Sequence, residues 1–166
     1  MTAAGIICEL NPLHSGHAYL MARLRQQGAD AIVCAMSGNF VQRGEPALVN
    51  KLSRGEMALA CGADLVLELP TPWAMATAEI FARGGVQLLA MAGCTHIAFG
   101  SECGDAALLQ RTADALLAPE LGEDAAVLRQ PNDTLAVEYL KACRQQKVDI
   151  TPIVIQRVGA AHDGAP

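Results

Sequence analysis

Apolar residues along this chain fall into short runs separated by stretches of helical spacing. Residues 4–10, Ala-Gly-Ile-Ile-Cys-Glu-Leu, make a first run of strand character. Residues 15–27 carry Leu20, Met21 and Leu24 at helical spacing, with Gly28 just beyond, which predicts a helix closed by a glycine. A second buried strand is expected over 30–36. A long loop follows over 37–49, punctuated by Gly38, Asn39, Gly44 and Pro46, and then a helix over 50–61, stopped by Gly62. Residues 63–69 predict a third strand, ended by Pro70 and Pro72. Residues 74–92 read as a helix weakened by Gly84 and Gly85, and 95–100 as a fourth strand. Two more helices are expected over 105–118 and 132–146. The tract 119–130 between them has no clear period, and 150–158 reads as a fifth strand.

Strands alternating with helices imply a parallel sheet covered on both faces. Right-handed crossovers make it an α/β, doubly wound open parallel sheet of about five strands, Rossmann-like, in one domain over residues 1–166. Such sheets bind ligands beyond the carboxyl ends of their strands, at the point where strand order reverses. The loops after the first, second, fourth and fifth strands are therefore where a site is expected.

Composition narrows the picture. Of the 166 residues, 52% are hydrophobic but only 4% aromatic, so the core must be built from Ala, Leu, Val, Ile and Met. Twelve Lys and Arg against 17 Asp and Glu give a net charge of -5, which argues against tight nucleic-acid binding by these residues alone. The longest charge-free stretch, residues 84–101, contains Gln87, Thr95, His96 and several glycines, so no membrane span is expected. No Lys or Arg precedes Arg23 and Glu9 interrupts the apolar start, so no signal peptide is expected either. Six cysteines without a CxxC pair read as free thiols of a reducing cytoplasm rather than disulfides or a metal site.

The chemistry concentrates in Asn11-Pro12-Leu13-His14-Ser15-Gly16-His17, between the first strand and its helix. His14 and His17 stand three apart across a helix start, so both rings can face one ligand. Gly16 allows close backbone approach, and the free N–H groups of a first turn bind anions. Two imidazoles beside such donors suit the charge that builds up in an in-line phosphoryl displacement. With a nucleophile as good as a carboxylate, positioning and charge stabilisation suffice.

This strand-HxGH-helix unit resembles the signature of the nucleotidylyltransferase superfamily. Five further segments carry the resemblance to one family within it: residues 5–17, 36–47 (Met-Ser-Gly-Asn-Phe-Val-Gln-Arg-Gly-Glu-Pro-Ala), 62–70, Phe99-Gly-Ser-Glu102, and Pro131-Asn132. Together, and in this order, they resemble the bacterial tRNA(Met) cytidine acetate ligase family over almost the whole chain. The resemblance implies activation of acetate with ATP, aided by Mg, to acetyl-adenylate. The acetyl group would then pass to the wobble cytidine of elongator tRNA(Met), giving N4-acetylcytidine.

By the same resemblance the ATP cradle comprises Ile7, Cys8, Glu9, Leu10, Asn11, Pro12, Leu13, His14, Ser15, Gly16, His17, Ala18, Tyr19 and Leu20, with His14 and His17 catalytic. Gly100, Ser101, Asn132, Arg157 and Val158 are implied at the nucleotide, Asn132 being alternatively an N-cap. Arg43 and Lys51 are candidates for acetate or tRNA, although they, Gln42 and Arg54 equally suit a solvated loop and helix face. Lys141, Arg144 and Lys147 are expected on a solvated helix face, His96 packed mid-strand, and Trp73 plugging the core edge. His162-Asp163 resembles a family pair of unassigned role. The resemblance further implies that a triphosphate-binding loop and a tRNA-gripping region would lie beyond Pro166, and Asp133-Thr134 and Ala136 depart from the usual Asn-Ile and Gly. Two other readings remain open: a different HxGH adenylyltransferase acting on a small phosphate ester, and a non-catalytic nucleotide-binding fragment. Residues 37–47 lack the basic cluster that a phosphate ester would need.

Overall fold

A computed structural model of the chain describes residues 1–117 and 127–157. Five strands, β1 (Ala3–Cys8), β2 (Ala31–Ser37), β3 (Leu65–Leu69), β4 (His96–Ser101) and β5 (Thr151–Gln156), form one all-parallel sheet in the order β3-β2-β1-β4-β5. Six helices accompany them: α1 (Ser15–Gln26), α2 (Lys51–Ala60), α3 (Thr71–Ala74), α4 (Ala78–Met91), α5 (Ala106–Leu117) and α6 (Pro131–Gln146). The chain winds outward from β1 to β3, then returns to the other side of β1, which puts the strand-order switch between β1 and β4.

The near-continuous apolar runs of β1, β2 and β4 are the consequence of burial on both faces. One face of the sheet packs Ile6, Cys8, Leu10, Ile32, Cys34 and Met36 against Leu20, Met21 and Leu24 of α1 and Ala58 of α2. The opposite face packs Ile7, Val33, Ile97 and Phe99 against α4, α5 and α6 through Phe81, Val86, Leu89, Leu109, Val137 and Leu140. Each fully covered Leu contributes about 1.5–3 kcal/mol of transfer free energy.

The helix expected over 74–92 is α4, which starts later, at Ala78; Pro70 and Pro72 begin a separate short turn, α3, ahead of it. Gly84 and Gly85 lie inside a continuous α4, where close packing calls for them. A Cβ on Gly85 would lie 2.6 Å from Ile7 Cδ1, and one on Gly84 would strike the Trp73 ring, so these glycines let β1 and α3 close on the helix. Trp73 thus packs against α4 at the edge of the core and remains 38% exposed. His96 is the first residue of β4, not a mid-strand one; it is half-buried, with Nδ1 2.9 Å from Thr95 Oγ1 at the end of the sheet remote from the switch-point loops.

The solvated face expected for Arg54 is also overturned. Arg54 is wholly buried. Its guanidinium donates to the carbonyls of Glu9 and Gly38, and its Nε donates to Val49 O at 2.9 Å. One side chain thereby ties together the ends of β1 and β2 and the entry to α2. Lys51 pairs with Glu68 at 2.7 Å, and Lys141, largely covered, pairs with Glu138 at 3.0 Å. Arg144 alone of that helix set bridges outward, to Asp114 at 3.1 Å. All six cysteines are free, four of them buried.

Replacing Arg54 with Met keeps the bulk and strands three carbonyls. The expected loss is about 2–4 kcal/mol, the scale of unpaired buried polar groups, read by urea denaturation. An unchanged midpoint would show that the clamp carries no stability.

Candidate functional site

β1 and β2 are in register over six residue pairs, and so are β4 and β5, but β1 and β4 share only two, Ala4 with His96 and Gly5 with Ile97. Beyond that point the two strands part, and a cavity of about 500 Å³ opens between their carboxyl ends. Ile6, Ile7 and Cys8 form one wall and Ala98, Phe99 and Gly100 the other. Because alternate residues of β1 belong to opposite faces of the sheet, the cavity reaches both cores.

The loop from Glu9 to His14 forms the rim. Leu10 is buried with φ 51°, a left-handed conformation that costs a β-carbon-bearing residue about 1–2 kcal/mol and is retained here at the cavity mouth. His14 is the N-cap of α1, and the two histidines cap each other's turn. The Gly16 N–H donates to His14 Nδ1 at 3.1 Å, and the His14 N–H donates to His17 Nδ1 at 3.3 Å. The rings lie 3.9 Å apart, tilted by 33°. Since each Nδ1 accepts, each neutral ring carries its proton on Nε2, and that N–H is left to donate to a ligand. A Cβ on Gly16 would stand 2.9 Å from His14 Cε1, so the His14 ring would have to shift to admit one.

Burial, the nearby His14 ring and then Arg157 hold His17 down to a pKa of about 4. The Cys8 thiol is pushed well above its ordinary value, first by its hydrogen bond with Cys34 and then by desolvation, so it stays protonated in the cavity wall and is no nucleophile. Burial, reinforced by the fields of Cys8 and Glu9, raises the Tyr139 phenol as well, which keeps it a neutral hydroxyl.

Of the tract expected to cradle ATP, Ile7, Cys8, Glu9, Leu10, Asn11, Pro12, His14, His17 and Leu20 line the cavity. Leu13, Ser15, Gly16, Ala18 and Tyr19 do not. Gly100 and Asn132 line it too. Asn132 is not an N-cap; it lies inside the first turn of α6, and its Nδ2 donates to Glu102. Ser101 is fully buried and its hydroxyl donates to Asp133 Oδ1 at 2.5 Å, which turns its side chain away from the cavity. Arg157 does not line the cavity; its stem passes close to Gly100 and its Nη1 donates to Glu102 Oε1 at 3.2 Å. Lys51 belongs to a separate groove between α2 and β3. Val158, His162 and Asp163 lie outside the described residues, as does the side chain of Arg43.

Sequence reasoning missed Phe81, Leu135 and Tyr139, which form an apolar side of the cavity, and Gln42, whose N–H donates to Glu9 Oε1 at 2.8 Å. Leu135 and Tyr139 follow Asn132 by three and seven residues, a single face of α6, so helical spacing from Asn132 could have found them. Phe81 and Gln42 carry no local signal, because only packing brings them to the strand ends. Among the described residues no cluster of three or more His, Cys, Asp or Glu side chains could hold a metal ion, and no helix is long and apolar enough to cross a membrane.

Residues 1–121 match the model of the HIGH Nucleotidyl Transferase family. The chain is 44% identical to the tRNA(Met) cytidine acetate ligase of Syntrophotalea carbinolica over 99% of its own length and 47% of that protein. It is 41% identical to the protein of the same name from Caldicellulosiruptor saccharolyticus, over 98% and 48%. It therefore spans about half the length of the curated relatives it matches. Among solved structures it is similar to Thermotoga maritima TmcAL bound with alpha-thio ATP, with a TM-score of 0.90 and 34% identity over 96% of this chain and 47% of that one. The apo form of the same protein gives 0.89.

The depressed value of His17 has a measurable sign. An unfolded imidazole titrates near 6.5, so between about 6.5 and 4 the unfolded state binds a proton that folded His17 refuses. His17 therefore contributes stability that is complete above pH 6.5 and declines as pH falls toward 4. Its ring resonances in a heteronuclear NMR titration should stay constant from pH 8 to 5.5 and move near 4; a midpoint at 6.5 would refute the desolvated placement.

Proposed function

Because this chain belongs to the HIGH nucleotidyl transferase family, we propose that it is the ATP-handling core of a tRNA(Met) cytidine acetate ligase. The observation that carries the reading is the pair of Nε2–H donors, from His14 and His17, at the rim of a cavity between β1 and β4. Names of relatives spanning 98–99% of the chain, and an ATP analogue in a structural relative, support ATP as the ligand.

In this reading the nucleoside lies along Gly100 and Asn132, and the triphosphate crosses the amino end of α1. A carboxylate oxygen of acetate attacks the α-phosphorus, and the bond from that phosphorus to the bridging oxygen of pyrophosphate breaks. Negative charge gathers on the non-bridging oxygens and on the leaving group. The two Nε2–H donors and the free N–H groups of the first turn can meet it. A neutral His17 suits this role, because its donor needs no ionisation at physiological pH. The product, acetyl-adenylate, then loses AMP when the exocyclic amine of the wobble cytidine of elongator tRNA(Met) attacks the acetyl carbon, and that nitrogen gives up a proton. Magnesium would arrive with the triphosphate, since such ions are held chiefly by phosphate oxygens and water.

The names of the relatives support acetate rather than a phosphate ester as the nucleophile. Lys51 is spent on Glu68 and Arg54 on backbone carbonyls. Binding of tRNA would draw on more than this acidic core. The reducing cytoplasm is the compartment that suits a tRNA-modifying enzyme with six free cysteines.

The test is acetate-dependent exchange of pyrophosphate into ATP. His14→Ala and His17→Ala should each lower it by roughly tenfold to a thousandfold, the scale of losing one transition-state donor. Equal rates in wild type and both variants would remove the histidines from the chemistry. Exchange driven by a phosphate ester in place of acetate would favour the other class of adenylyltransferase.

A further inference from the structure

We infer that Glu102 is a positioning residue that sets the nucleoside end of the cavity, an inference that rests on the ATP-binding reading above. Glu102 follows β4 directly and its carboxylate is only 19% exposed. Its Oε1 accepts from Asn132 Nδ2 and from Arg157 Nη1, and its Oε2 accepts from the Asp133 backbone N–H at 3.1 Å. The arrangement is reciprocal: Asp133 Oδ1 accepts from the Glu102 N–H at 3.0 Å, and Oδ2 accepts from the Cys103 N–H at 3.1 Å. Two carboxylates therefore cross-tie the segment after β4 to the first turn of α6, where a helix dipole favours negative charge.

The consequence for the ligand lies in Asn132. A side-chain amide in an open cavity can turn over and present either donor or acceptor. Here the amino group is bound to a carboxylate, which cannot donate. The amide is thus fixed, and its oxygen Oδ1 is the group it offers. That oxygen selects a hydrogen-bond donor, such as a ribose hydroxyl or an exocyclic amine of the nucleoside. Glu102 also holds Arg157 at the rim, where its stem passes Gly100, instead of letting the guanidinium range through solvent. Glu102 acts through these two side chains and does not line the cavity itself.

ATP binding by equilibrium dialysis, combined with a mutant cycle, tests this. Glu102→Ala and Asn132→Ala should each weaken ATP binding by about tenfold, the value of one charge-assisted contact, and the double variant should lose no more than the weaker-binding single. In pyrophosphate exchange the KM for ATP should rise by a similar factor while kcat changes less than about threefold, because His14 and His17 stand on a different element. Glu102→Gln keeps the bulk and tests the same point should the alanine variant unfold. Its amide N–H₂ must face a donor, so binding should weaken by about threefold or more. Glu102 variants that bind ATP as well as wild type, or losses that multiply to about a hundredfold in the double variant, overturn the inference. A wild-type chain that binds no ATP would instead overturn the functional reading.

Discussion

The site exists because β1 and β4 stop pairing after two residue pairs. Elsewhere the sheet is regular, with β1 matched to β2 and β4 to β5 along their full lengths. Where the two strands part, backbone that would have formed a ladder is left open to a ligand. Side chains from both faces, Ile7 from one and Cys8 from the other, meet in the same space. In a parallel sheet buried on both sides, such a switch point is where a ligand can reach the strand ends.

An opening of this kind must be held, because the segments that frame it have lost the hydrogen bonds of the sheet. Two polar clamps do so, one on each side. Arg54 gathers the carbonyls of Glu9, Gly38 and Val49 on the β2 side. Glu102 and Asp133 tie the end of β4 to α6 and β5 on the other. Both clamps are largely withdrawn from water, where such bonds are stronger and their loss costs more. Between them the rim holds Leu10 in a disfavoured backbone conformation.

The electrostatics of the mouth differ in kind from the charge of the whole chain. A net charge of -5 does not describe a site whose donors are imidazole N–H groups, amide N–H groups and a helix terminus. These fixed dipoles are oriented by the fold and need no reorganisation when charge develops on a ligand. Arg54, the most buried cation among the described residues, serves structure, and Arg157 is already matched by Glu102. Binding of an anion here depends on geometry more than on attraction at a distance.

Residue pattern alone establishes the alternation of strands and helices, the parallel doubly wound sheet, and the HxGH loop at a helix start. These follow from local period and from residue types whose roles depend on near neighbours: Gly16 lies against a ring two residues away, and both histidines cap their own turn. Asn132 and Gly100 are legible only through family resemblance, and the solvated helix face expected for Arg54 is where local pattern and structure part. Arg54 has the same charge and helical setting as many surface residues. Only packing shows that three carbonyls from separate segments converge on it, just as only packing brings Phe81 and Tyr139 to the cavity and joins Glu102 to residues 30 and 55 positions away. Short-range pattern records what each segment prefers, whereas the gap between β1 and β4, and the partners that hold it open, arise from contacts between segments distant along the chain.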